Sequence, residues 1–264
     1  GPSLAGVLAA VLSPALAISF DALSYACSAV SLLLIARAFN TARAQEHSPG
    51  SLLQRTFRDI REGLRFLVQE PVVRTMTLLG FGNSFTAGAV MSLLVVYAVR
   101  GLGLGKNDTR IGLLYSAGAL GALVASLVLP SLVKRVSVGR ITLISLSLTP
   151  LLLFGVALAP DLTLGLVLFG LWDACSTLTI INGISLRQLV TPDHLQSRVN
   201  ATARMIAWGG TPFGAAVGGF LAERTTISMT YMIMAVGVGT SALVGWFSPL
   251  RQMPKTQPAP ANKG

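Results

Sequence analysis

The sequence predicts an all-α polytopic membrane protein with about eight transmembrane segments, the first incomplete. Three observations carry that prediction. Of 264 residues, 52% are hydrophobic and only 11% charged, and mean hydropathy is +0.68. A soluble domain carries about 25% charged residues, and at this size it would expose far too much apolar surface. Apolar runs of membrane-spanning length recur along the chain, broken by short polar turns. Finally, most of the 20 lysines and arginines, against 10 acids, fall between the runs or at their ends.

The chain opens on Gly1-Pro2-Ser3-Leu4-Ala5-Gly6 with no charged segment before it, which excludes a signal peptide. Residues 1–13 would rise only ~20 Å as helix, short of the ~30 Å hydrocarbon core, and read as the second half of a span. Pro14 opens a full span over 14–36, which carries Asp21 and Cys27. The long polar stretch follows, from Arg37 to Arg74, with seven arginines and four acids. Within it Pro49-Gly50 marks a turn, and Ser51-x-x-Gln54 has the form of a capping box. Leu53, Phe57, Ile60, Leu64 and Leu67 recur at helical spacing, predicting an amphipathic helix in the membrane interface. Arg55/Asp59 and Arg58/Glu62 are i,i+4 pairs on it, and Glu70-Pro71 ends it. Six spans are then predicted over about 75–99, 111–133, 140–159, 162–186, 200–222 and 227–249, with a disordered tail from Leu250. Gly118 and Gly121, and the stripe Gly210, Gly214 and Gly218, predict close approach of neighbouring helices.

Alternating the spans from the Arg37–Arg74 stretch puts sixteen of the 20 basic residues on its side of the membrane. The positive-inside rule therefore places the linker and the C-terminus in the cytoplasm. The net charge of +10 is thus topological, and nucleic-acid binding is excluded for want of a soluble basic face. Cys27 and Cys175 lie in apolar runs, and His47 and His194 in polar turns, so no metal or cofactor site is predicted. No catalytic constellation is present, and the chain is not expected to be an enzyme. Gly214–Ala222 repeats the glycine spacing of Gly1–Ala9, as two halves of a parallel repeat would.

Several stretches resemble the major facilitator superfamily. Gly1-Pro2-x-x-x-Gly6 is similar to the end of its fifth-helix motif. Arg61-Glu-Gly-Leu-Arg-Phe66, followed by Pro71, resembles the linker and the start of helix seven in the multidrug, siderophore and macrolide exporter branch. Val190-Thr-Pro-Asp-His-Leu-Gln-Ser-Arg198-Val199 resembles the branch's loop before helix eleven, with Gln196-Ser197 where the pattern has Arg-Gly. Lys134-Arg135-Val-Ser-Val-Gly139-Arg140 resembles the basic turn between helices eight and nine, without its acidic residue. The resemblance implies a partial major-facilitator fold. Residues 1–36 would end the N-terminal half, 37–74 form the linker, 75–249 the six-helix C-terminal half and 250–264 the tail. Helices one to four would lie outside the chain.

Asp173 is the first candidate for function. It lies 12 residues beyond Asp161, ~18 Å along a helix and near mid-bilayer, where an ionised carboxyl costs a few kcal/mol. It is therefore a candidate proton carrier or substrate contact; the alternative is a structural carboxyl. Asp21 is a second candidate, alternatively a packing contact. Trp172, Ser176 and Thr177 share a helical face with Asp173. By the resemblance that tenth helix, and the seventh with Asn83, Ser84 and Thr86, line a central cavity. Arg140 and Arg198 are candidates for anchoring cytoplasmic loops or gating the inner face, and Arg204 for snorkelling. The resemblance implies a secondary transporter in a bacterial inner membrane, exporting small amphipathic compounds by proton antiport with alternating access. Its partners would be the bilayer, the substrate, protons and the missing N-terminal helices. The alternative is a non-transporting fragment or a membrane interaction module.

Overall fold

The computed structural model describes residues 14–34, 52–106 and 108–252. Gly1–Ala9, on which the repeat rests, and Pro49-Gly50 and Ser51, on which the turn and the capping box rest, lie outside the described residues. The chain forms two compact units, Gly1–Phe57 and Arg58–Gly264.

The first unit contains α1 (Pro14–Leu33). Pro14 sits at its first position, where the missing N–H costs nothing. Ser28 and Ser31 donate their hydroxyls to the carbonyls of Ser24 and Cys27, at 3.0 and 2.8 Å, so their polar groups are satisfied within the helix. Asp21 is on α1, but its side chain lies outside the described residues.

α2 (Leu52–Gln69) is the predicted amphipathic helix and continues into the second unit. Its side chains divide into three sectors. Gly63 and Leu67 are buried, whereas Phe57, Ile60, Leu64 and Val68 form an exposed apolar strip and Arg58, Arg61 and Arg65 an exposed basic one. The predicted stripe thus splits, because Leu67 turns into the protein while Phe57, Ile60 and Leu64 stay outside. A protein-facing, an apolar and a cationic sector on one helix suit a position at the bilayer surface.

Six further elements make the bundle: α3 (Pro71–Ser92), α4 (Ile111–Arg135), α5 (Val138–Ala157), α6 (Leu162–Val190), α7 (Gln196–Arg224) and α8 (Ile227–Trp246). α4 to α8 are each long and apolar enough to cross a membrane. α3 joins them as a bent span: beyond Leu93 a short helix (Leu94–Val96) and a π turn (Tyr97–Gly101) continue it at 49°. Glu70 is extended (φ −88°, ψ 108°), as a residue before proline must be, and this separates α2 from α3.

The connections are short, so successive helices run antiparallel, but apart from α5 and α6 the main packing partners are not sequence neighbours. α3 packs on α7, α6 lies between α4 and α5, and α8 joins α5 to α3. Glycine explains the closest of these contacts. A Cβ at Gly210 would come within 2.9 Å of the Phe85 backbone nitrogen, and one at Gly214 would strike the Phe85 carbonyl. Gly88 meets Thr211 from the other side. In α4, Gly121 rides on the Gly170 carbonyl of α6 in the same manner. Lipid tails are as apolar as leucine, so such close van der Waals contact replaces the hydrophobic drive between helices.

Several boundaries differ from expectation; α3 begins at Pro71 and not at 75. α6 runs four residues past 186 because the Thr191 hydroxyl and amide both close on the Arg187 carbonyl, at 2.6 and 3.1 Å. α7 begins at Gln196 and not at 200. The tail does not start at Leu250: Pro249–Gln252 form a 3-10 turn, and Leu250 is fully buried with Met76, Leu79, Leu143 and Leu146. A proline-rich sequence hides one apolar anchor there.

Candidate functional site

One cleft brings α3, α6 and α7 together. Met76, Gly80, Asn83 and Ser84 line it from α3, Thr179, Ile180, Gly183, Ile184 and Arg187 from α6, and Arg204, Ala207 and Trp208 from α7. Gly80, Gly183 and Ala207 leave the space by their small size. Asn83 is the deepest polar group. Its side-chain amide donates to Ser176 Oγ at 2.9 Å, and the Ser176 hydroxyl can return a bond to Asn83 Oδ1 at 3.3 Å. This pair ties α3 to α6 near the middle of both helices.

Two arginines hold the other end. Arg187 is 6% exposed, and its Nε donates to Asn200 Oδ1 at 3.0 Å. Arg204 is exposed, and its guanidinium lies 4.2 Å from the centre of the Trp208 ring, a cation–π contact that fixes its direction. Sequence reasoning missed this role for Arg187. Ending the span at 186 put it in a loop, whereas the extra turn of α6 carries it inside. The available signal was Thr191, a helix-closing hydroxyl four residues on.

Asp173 lies apart from this cleft, on α6 against α4. A Cβ on Gly118 would come within 3.7 Å of its carboxyl carbon. The carboxyl is half-buried and has no hydrogen-bond or ion-pair partner among the described residues.

The remaining candidates fall in different places. Trp172 is 1% exposed, its ring 5.4 Å from that of Phe169, and its Nε1 has no partner among the described residues. Ser176 is turned to Asn83, and Thr177 is half-buried. The Thr86 hydroxyl donates to the Gly82 carbonyl at 3.1 Å within its own helix. Of the residues expected to line a cavity, Asn83 and Ser84 line this cleft; Trp172, Ser176, Thr177 and Thr86 do not. Trp172, Ser176 and Thr86 are buried on flanks of α6 or α3 that pack into the bundle.

Arg198 clamps the linker helix to the bundle, its Nε 3.0 Å from Asp59 Oδ1 and its Nη1 bonded to Glu62. Glu62 therefore pairs with Arg198 and not with Arg58, as its spacing suggested. Gly63 makes room, since a Cβ there would lie 2.8 Å from the Arg198 carbonyl oxygen. Arg140 is exposed on the first turn of α5. At the opposite end, in the turn before α4, Arg110 grips Asp108 at 2.6 Å, and its side-chain hydrogen bonds hold that exposed carboxyl below the usual range.

Small-residue interfaces, an amphipathic α2 clamped at Arg198 and a bent α3 starting at Pro71 frame a bundle of five membrane-length helices, six with the bent pair, among the described residues. A family model described as transmembrane secretion effector matches residues 1–263. The chain belongs to this family of major facilitator transporters. Among relatives, the enterobactin exporter EntS of Citrobacter koseri is 30% identical over 205 residues, which cover 75% of this chain and 48% of that protein. The EntS of Salmonella typhi is 28% identical over 202 residues, or 74% of this chain and 47% of that protein. The multidrug efflux pump Tap of Mycolicibacterium fortuitum is 24% identical over 265 residues, covering 96% of this chain and 60% of the pump. The chain spans about half the length of the EntS relatives. It is a multi-pass membrane protein of the major facilitator superfamily.

Proposed function

We propose that this chain supplies the C-terminal half of a secondary active exporter in a bacterial inner membrane, moving small amphipathic compounds outward in exchange for protons. Alternating access requires a second bundle facing this one across the central site. The linker helix and the C-terminus face the cytoplasm, as the distribution of basic residues favours. The relatives named as enterobactin and drug exporters support an export direction and an amphipathic cargo.

The observation that carries proton coupling is the unpartnered Asp173 carboxyl, 12 residues beyond Asp161 on a membrane-spanning helix. A group in that position holds charge only at a cost, and exchanging a proton against cargo removes the cost in each direction of the cycle. In the intact transporter, Asp173→Asn is expected to abolish efflux driven by a pH gradient while insertion and expression stay normal. Efflux at the unmutated rate in proteoliposomes would remove Asp173 from the mechanism. A membrane interaction module without transport is the competing reading, favoured by the exposed apolar and basic sectors of α2. It predicts no gradient-driven flux under any condition.

A further inference from the structure

We propose that the cleft between α3, α6 and α7 is an anion-binding site, in which Arg187 and Arg204 take a carboxylate, sulfonate or phosphate group. Where that group belongs to the cargo, the inference rests on the exporter reading above.

Two guanidinium groups line one cleft, and among the described residues neither has a carboxylate within ion-pair distance. Like charges repel, and a buried cation is normally paired. Arg187 is 6% exposed, yet its only side-chain partner among the described residues is the neutral Asn200 oxygen, which occupies Nε. Its terminal N–H groups have no partner among the described residues. The arrangement is complete except for an acceptor. The fork of an arginine matches a planar or tetrahedral oxyanion, and charge-assisted bonds to one are about twice as strong as neutral ones.

The surroundings favour the same ligand class. Arg204 is held over Trp208, so its direction is set before a ligand arrives. Ser84, on the opposite wall, can donate a further hydrogen bond. The space inside this partly open cleft is about 50 Å³, enough for a charged substituent. The rest of the ligand would extend along the apolar wall formed by Ile180, Ile184 and Trp208. An anion of this kind has two sources, an acidic compound in transit or the headgroup of an anionic lipid in the cytoplasmic leaflet.

The test compares naphthalene-1-sulfonate with the uncharged naphthalene-1-sulfonamide by titration calorimetry. It uses the full chain in phosphatidylcholine nanodiscs. The unmutated chain is expected to prefer the sulfonate. Arg187→Gln and Arg204→Gln should each weaken sulfonate binding by about tenfold or more, with sulfonamide binding unchanged. Arg204 is exposed, so its variant reports on binding and not on folding. Arg187→Lys keeps the charge and should keep part of the preference. Adding phosphatidylglycerol separates the sources: if it displaces the sulfonate, the headgroup occupies the cleft, and if it does not, the site serves acidic compounds in transit. Either result requires the two arginines. Equal affinity for both probes in the unmutated chain would overturn the proposal. So would variants that bind sulfonate as before, or that lose both probes alike. The exporter reading has its own readout in Asp173→Asn, so either reading can fail alone.

Discussion

Tyr97 shows how a single polar atom inside a membrane bundle is accommodated. Its ring stacks on that of Tyr231 at 5.1 Å, and its hydroxyl donates to the Val156 carbonyl at 2.6 Å. Tyr231 in turn donates to the Val90 carbonyl at 2.9 Å. Each hydroxyl thus holds a backbone acceptor in a different helix, because hydrocarbon offers no alternative partner. Tyr97→Phe removes one such bond and is expected to cost about 1 kcal/mol. In thermal unfolding in detergent the midpoint should fall by about 2–4 °C; an unchanged midpoint would mean that the bond contributes nothing. These residues were not singled out in the sequence, since an aromatic residue in an apolar run looks like any other core residue. Asp173 was legible for the opposite reason: a lone carboxyl within a hydrophobic segment stands out wherever its side chain points.

At the scale of the helix, close approach is decided by which glycines face a neighbour. Gly209 and Gly214 both lie on α7 and are alike in sequence. A Cβ at Gly209 meets nothing within 4 Å, whereas at Gly214 it strikes the backbone carbonyl of Phe85. A carbonyl cannot rotate aside as a side chain can. Gly214→Leu is therefore expected to destabilise the α3–α7 interface by about 3 kcal/mol or more, and Gly209→Leu by less than about 0.5 kcal/mol. Unfolding midpoints of the two variants, measured side by side, check this. The predicted stripe of Gly210, Gly214 and Gly218 is an interface with α3, but its partner glycine, Gly88, could be matched to it only in three dimensions. The linker helix follows the same pattern. Its amphipathic period was legible, whereas the pairing of Asp59 and Glu62 with Arg198 was not, because Arg198 lies more than a hundred residues further along the chain.

At the scale of the whole molecule, topology yields a direct prediction. Lys106, in the turn before α4, and Arg135, the last residue of α4, are both exposed, one on each side of that span. With the native cysteines replaced, Lys106→Cys should react with a membrane-impermeant maleimide in intact cells, and Arg135→Cys only after permeabilisation. Labelling in the reverse order would invert the proposed orientation. The sequence by itself determined that the chain is helical and membrane-spanning, that an amphipathic helix precedes Pro71, and to which superfamily the chain belongs. These follow from hydropathy, charge and local motifs, which each segment carries independently of its neighbours. Only the tertiary structure decided which face of each span is buried. It brought Arg187 and Arg204 into one cleft, left Asp173 outside it and turned Trp172 into the core. A helix apolar on all sides carries little periodic signal for its buried face, because lipid and protein are equally good surroundings for leucine. The choice is made by small residues and hydrogen bonds that must meet across helices far apart in sequence.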